Sequence, residues 1–253
     1  MSEPTPIADH PKISGPTSAL SGEHSTARPR WAMPILLVLG GLAGAAGSQV
    51  IFQVRDLFQV APERLGMPPY PPALEREMLL CAVASHALGF GLLGLVICGV
   101  LGLGLGALSG SPRAAAGSLL AGGILGLLAG AAGGVSALLI DDALLVVPLD
   151  GLFKAMLIHL PNWLLLAVAI AIAAVLFRQR RVPVQQLLVS AIVAGFLAAL
   201  FYPLLGLILF PAATSDRPIP YEMGLRILCF ALGGAVLGVG VARWLRTSAP
   251  ATS

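Results

Sequence analysis

Two histidines, His86 and His159, stand inside stretches otherwise built from Leu, Ala, Gly, Val and Ile. An imidazole can ligate a metal, move a proton, or join two hydrogen-bonding groups. Gln49 and Gln53 lie four residues apart, and therefore on one face of a helix. Tyr202 lies in a third apolar stretch. Gln49, Gln53, His86 and Tyr202 together define a candidate polar pocket in which His86 bonds to a Gln amide or a hydroxyl. The plainer alternative is that His86 only holds neighbouring helices together. His159 precedes Pro161, and proline favours the first turn of a helix. A helix starting there would make His159 an interfacial residue beside Trp163. Arg226, about one turn inside its own run, can extend its stem outward to water.

Catalytic constellations are missing. The chain has no Gly-x-Ser-x-Gly, no His-Glu-x-x-His and no phosphate-binding loop. Asp141 and Asp142 are adjacent, so on a helix they diverge by about 100° and do not converge on one cation. Asp142 instead suits the N-cap of a short interfacial helix over 143–147, stopped by Pro148. Cys81, Cys98 and Cys229 are odd in number and lack metal-ligand spacing. A haem between His86 and His159 is disfavoured by their unequal depth. No catalytic residue, metal site or cofactor is assigned.

The elements that must position these groups follow from composition. Of 253 residues, 57% are hydrophobic and 11% charged, and the mean hydropathy is +0.90. Soluble domains carry about 25% charged residues. The balance excludes a soluble enzyme and, with basic residues scattered rather than forming one face, a nucleic-acid-binding domain. Six apolar runs, at 32–54, 78–108, 114–140, 155–177, 184–210 and 223–245, can each cross about 30 Å of hydrocarbon. They are continuous rather than alternating, and lipid leaves no unpaired backbone group unpenalised, so they are helices. The expected fold is an all-α, polytopic transmembrane bundle of six spans occupying 31–246.

Residues 1–30 carry five prolines among Ser, Thr, Glu and His, and are expected to be a disordered tail. They lack the apolar core of a cleavable signal, so the first span is expected to act as an uncleaved signal-anchor. The cluster Arg178, Arg180 and Arg181 in a short turn fixes that turn as cytoplasmic by the excess of basic residues on that side. Both termini, including the short tail 247–253, then face the cytoplasm. Gln49, Gln53, His86 and Tyr202 fall in the outer half of the bilayer, while the inner half is almost wholly apolar. An abundance of Arg, Gly and Ala points to a bacterial source, and hence to the cytoplasmic (inner) membrane.

Glycine supplies the strongest pattern. Gly122, Gly126, Gly130 and Gly134 recur every four residues and leave one face of the third span nearly bare; Gly102 and Gly106 do the same in the second. Lipid tails are as apolar as leucine, so spans associate through close van der Waals contact, which small residues permit. These faces are expected to pack helices within the bundle, with a homo-oligomer or another membrane protein as the alternative partner beside the lipid bilayer itself. Leu-Ala-Gly-Ala-Ala-Gly occurs at 42–47 and again at 128–133. A triplicated two-helix hairpin would account for it, as would chance in a Gly/Ala/Leu alphabet.

The resulting expectation is a structural or accessory membrane subunit without catalysis. The alternative is a small-solute carrier or channel-like protein with a polar pocket in the outer half. Reporter fusions at Ser111 and Arg180 should register as cytoplasmic, and those at Pro71 and Ser215 as external; an external signal at Arg180 would invert the topology.

Overall fold

The computed structural model of the chain describes residues 31–54, 57–61, 68–108, 111–176, 184–210 and 217–247. The expected tail at 1–30 lies outside them, as does the expected tail 247–253 apart from Thr247, which belongs to the last helix. Six helices follow in order: α1 (Ala32–Val54), α2 (Pro72–Ala107), α3 (Pro112–Ala143), α4 (Gly151–Leu176), α5 (Val184–Leu209) and α6 (Met223–Thr247). All six are long and apolar enough to cross a membrane, and the chain is an integral membrane protein of all-helical fold.

Local chemistry explains where helices start. Pro72 and Pro112 occupy first-turn positions of α2 and α3, where a missing N–H costs nothing. The Ser111 hydroxyl accepts from the Ala114 N–H at 3.4 Å and caps α3. Asp150 performs this duty for α4, its carboxylate accepting from the Leu152 N–H at 2.9 Å. α4 therefore begins well before His159, and Pro161 lies inside the helix rather than at its start. At the other boundary α3 runs on through Asp142 to Ala143, so Asp142 is no N-cap and the short helix over 143–147 does not form. Asp141 pairs with Lys154 at 3.2 Å, tying the end of α3 to the start of α4.

Neighbouring helices in sequence touch, and α1 also packs on α6, so the six close into a ring. α2, α4 and α6 run parallel and contact one another through α4, while α1, α3 and α5 fill the positions between them. Burial follows this division: 56, 61 and 50% of the spanning stretch is buried in α2, α4 and α6, against 39, 28 and 39% in α1, α3 and α5. The α1–α2, α3–α4 and α5–α6 connections share one end of the bundle, the long-loop end. The α2–α3 and α4–α5 connections share the other, the short-turn end.

The tightest contacts are backbone on backbone. A Cβ added at Gly126 would overlap the Gly94 carbonyl, and one at Gly94 would overlap that of Gly126. Gly130 meets the Phe90 carbonyl, Gly122 that of Cys98, Gly134 that of His86 and Gly102 that of Ser118; Gly106 abuts Ala114 and Ala115. The α1·α6 pair repeats the arrangement, with Gly40 against Gly234 in both directions and Gly44 against the Phe230 carbonyl. In α4·α5 a Cβ at Gly195 would stand 2.8 Å from the Trp163 carbonyl. The same contact thus occurs three times, in α2·α3, α4·α5 and α6·α1: a glycine of the outer helix lies over the carbonyl of an aromatic residue on the inner helix. In the two Leu-Ala-Gly-Ala-Ala-Gly segments, the matching glycines Gly44 and Gly130 make that contact.

A leucine at Gly126 or Gly130 has to displace a neighbouring backbone rather than a side chain. Gly126→Leu and Gly130→Leu are each expected to cost at least the roughly 1–3 kcal/mol typical of overpacking. Thermal unfolding in detergent checks this, and variants that melt with the parent would place this face toward lipid.

Candidate functional site

The three aromatic residues at the repeated contact meet between the inner helices. Phe90 and Phe230 pack edge to face with centroids 6.0 Å apart, and Trp163 lies 6.1 Å from Phe230. All three are fully buried. Four residues earlier on each helix, and so one turn nearer the long-loop end, stand His86, His159 and Arg226. A polar layer therefore lies directly over an aromatic plug, and its three members have different surroundings.

His86 is half-buried, and its Nδ1 pairs with the Ala82 carbonyl of its own helix at 2.9 Å. Its ring stacks over Phe90 at 6.3 Å. Arg226 is buried, with its guanidinium 4.0 Å over the Phe52 ring of α1. Its Nη1 donates to the Pro220 and Tyr221 carbonyls at 3.3 and 3.2 Å. A helical side chain leans toward the N-terminus of its helix, which directs Arg226 at the α5–α6 connector. The connector holds it below the surface instead of letting it reach water. Arg217 stacks on Tyr221 at 4.8 Å within the same connector.

His159 is 1% exposed, so the interfacial position expected from Pro161 is not where it lies. Its ring meets the Tyr202 ring edge to face at 4.6 Å. The Arg217 backbone approaches the imidazole, yet neither ring nitrogen has a hydrogen-bond partner. Asn162 and Trp163 follow on the same face of α4, three and four residues on. Both are fully buried, and the Asn162 amide and the Trp163 N–H also lack partners. Asn162 lies against Gly133 of α3, where a Cβ would stand 2.9 Å from its Oδ1. An unpaired buried polar group costs about 1–3 kcal/mol, so among the described residues this face of α4 is the least compensated part of the bundle.

Of the four residues expected to form a pocket, Tyr202 is fully buried against His159 and reaches the Cys229 thiol of α6. Gln53 is exposed. Gln49 is half-buried, and its amide donates to the adjacent Ser48 hydroxyl at 3.5 Å. His86, turned to its own helix, belongs to the α2·α3 side. The polar side chains brought together around Tyr202 are instead His159 and Cys229. Sequence reasoning did not single out Asn162. Its signal was the spacing His159, Asn162, Trp163, which becomes one buried face only once α4 begins at Asp150.

The short-turn half has different openings. A cleft of about 280 Å³ between α1 and α2 is lined by Ile35, Leu39, Val100, Leu103 and Gly104, and a much smaller one lies among α4, α5 and α6. Their walls are almost wholly apolar. Among the described residues no group of three His, Cys, Asp or Glu side chains is placed to hold a metal ion. No family model, curated protein or solved structure matches the chain.

The Arg226 contacts generate a direct test of the connector. Arg226→Leu should lose about 1.5–3 kcal/mol, the worth of hydrogen bonds to a charged group, and should speed proteinase K cleavage within 217–221. Arg226→Lys should fall between it and the parent. Unchanged cleavage in Arg226→Leu would mean that the arginine does not hold the connector.

Proposed function

We propose that the protein is a non-catalytic structural or accessory subunit of a membrane. The observation that supports this is the aromatic plug: Phe90, Trp163 and Phe230, each fully buried, close the space between the inner helices. A carrier or channel needs a polar route across the bilayer or broken helices at its midplane. Here polar groups cluster on the long-loop side of the plug, and apolar clefts lie on the other. Contact through bare glycine faces yields a stiff bundle, a property suited to holding or spacing partners. A bacterial inner membrane with both termini cytoplasmic is the setting that the composition and the arginine distribution favour. The glycine faces are taken up by packing within the bundle, so a second copy or another membrane protein would meet exposed aliphatic faces such as Leu120, Ile124 and Leu128 instead.

A second reading, a small-solute carrier with a polar half-pocket, draws on the unpartnered groups of His159 and Asn162. Reconstitution separates the two. Liposomes holding the purified protein should show proton leak, and swelling in glycerol or urea, no faster than protein-free liposomes. A protein-dependent flux of any of these would replace the scaffold reading with the carrier one.

A further inference from the structure

We propose that the face of α4 carrying His159, Asn162 and Trp163 is a binding site for a small uncharged molecule that both donates and accepts hydrogen bonds. The three side chains are 1, 0 and 0% exposed; the Asn162 amide and the Trp163 N–H lack protein partners, and the imidazole of His159 has only the approach of the Arg217 backbone. Their inventory is mixed. A neutral imidazole offers one donor and one acceptor, a carboxamide two donors and an acceptor, and an indole one donor. A simple anion would satisfy the donors and leave the Asn162 carbonyl and the imidazole acceptor unmatched. A primary amide or a short polyol can answer both kinds.

The bundle provides its own comparison. The position held by Asn162 in α4, one residue before the plug aromatic, is Gly89 in α2 and Cys229 in α6. Gly89 faces Ile51 of α1, an apolar contact. Only in α4 does this inner position carry a carboxamide, and there it is neither exposed nor paired. The site also has a wall and a cover. Tyr202 forms the wall against His159. The connector 217–221 forms the cover, with Pro218 and Pro220 buried and two of its carbonyls held by Arg226. The ligand enters from the long-loop end beneath that connector and stops at the plug, so binding requires no passage across the membrane and is independent of the scaffold reading.

Trp163 is itself the reporter. The variant Trp31→Phe, Trp244→Phe in lipid nanodiscs leaves Trp163 as the sole indole, and its emission is followed during titration with acrylamide, a small primary amide, and separately with iodide. Acrylamide quenching that saturates, exceeds that by iodide severalfold and is lost in Asn162→Leu is the expected result. Absent quenching, quenching that rises without saturation and equally in Asn162→Leu, or stronger quenching by iodide would each overturn the proposal. Asn162→Leu, which keeps the side-chain shape and removes the unmatched amide, should also raise the thermal midpoint in solute-free buffer. A lowered midpoint would make the amide structural and overturn the proposal. If Asn162→Leu does not fold, the same titration on His159→Leu decides, with loss of saturable quenching expected and its retention overturning the assignment.

Discussion

Two helix backbones in contact at Gly94 and Gly126, and two more at Gly40 and Gly234, set the dimensions of everything else in this bundle. In water, burying leucine would drive such helices together; in lipid that gain vanishes, because the tails are as apolar as the side chains. What remains is dispersion, which falls steeply with distance. Glycine lets the carbonyl of one helix lie on the Cα of the next, so the contact is made by main chain that cannot change rotamer. The exposed leucines and isoleucines on the opposite face of α3, Leu120, Ile124 and Leu128, are then free to meet lipid.

That closeness decides what the interior can hold. With α2·α3 and α6·α1 drawn together, the space between α2, α4 and α6 is narrow enough for Phe90, Trp163 and Phe230 to fill it by ring contact. Gly233 contributes from the side, since a Cβ there would strike the Trp163 indole. A filled centre pushes polar chemistry to one side of it. His86, His159 and Arg226 all stand one turn toward the long-loop end, where connectors rather than lipid can cover them. His86 finds a carbonyl on its own helix and Arg226 two on a connector, whereas His159 gains an aromatic edge and only the approach of the Arg217 backbone.

Much of the architecture was legible in the sequence, and the reasons differ by element. The first span coincides with α1, residue for residue, because an apolar run ending in polar residues has only one way to meet a bilayer. The glycine faces were visible because a four-residue period needs only helix geometry to interpret. The start of α4 was not, because Asp150 as N-cap competes with Pro161 as a first-turn proline, and the hydrogen bond to Leu152 decides between them. The burial of His159 depends on that boundary. Grouping Gln49, Gln53, His86 and Tyr202 used depth alone, and depth does not say which way a side chain turns around its helix. Azimuth comes from which helices are neighbours, a long-range property fixed here by α6 packing on α1.

The threefold pattern of contacts gives a frame for deciding which residues the fold requires. A glycine over an aromatic carbonyl occurs in all three close-packed helix pairs, at Gly44 with Phe230, Gly130 with Phe90 and Gly195 with Trp163, so it belongs to the packing plan. Residues that break the pattern are not explained by packing alone. On the outer helices, Tyr202 stands where register with Gly44, Gly130 and Gly195 places Ile51 in α1 and Ala137 in α3; on the inner helices, Asn162 stands where the others have Gly89 and Cys229. Both departures lie around one helix, α4: Tyr202 packs against His159, and Asn162 lies three residues beyond that histidine on the same helix. A bundle held together by dispersion gains nothing from an unpaired amide or imidazole in its interior. Their concentration in one helix pair out of three is therefore the point at which the chain's chemistry parts from its architecture.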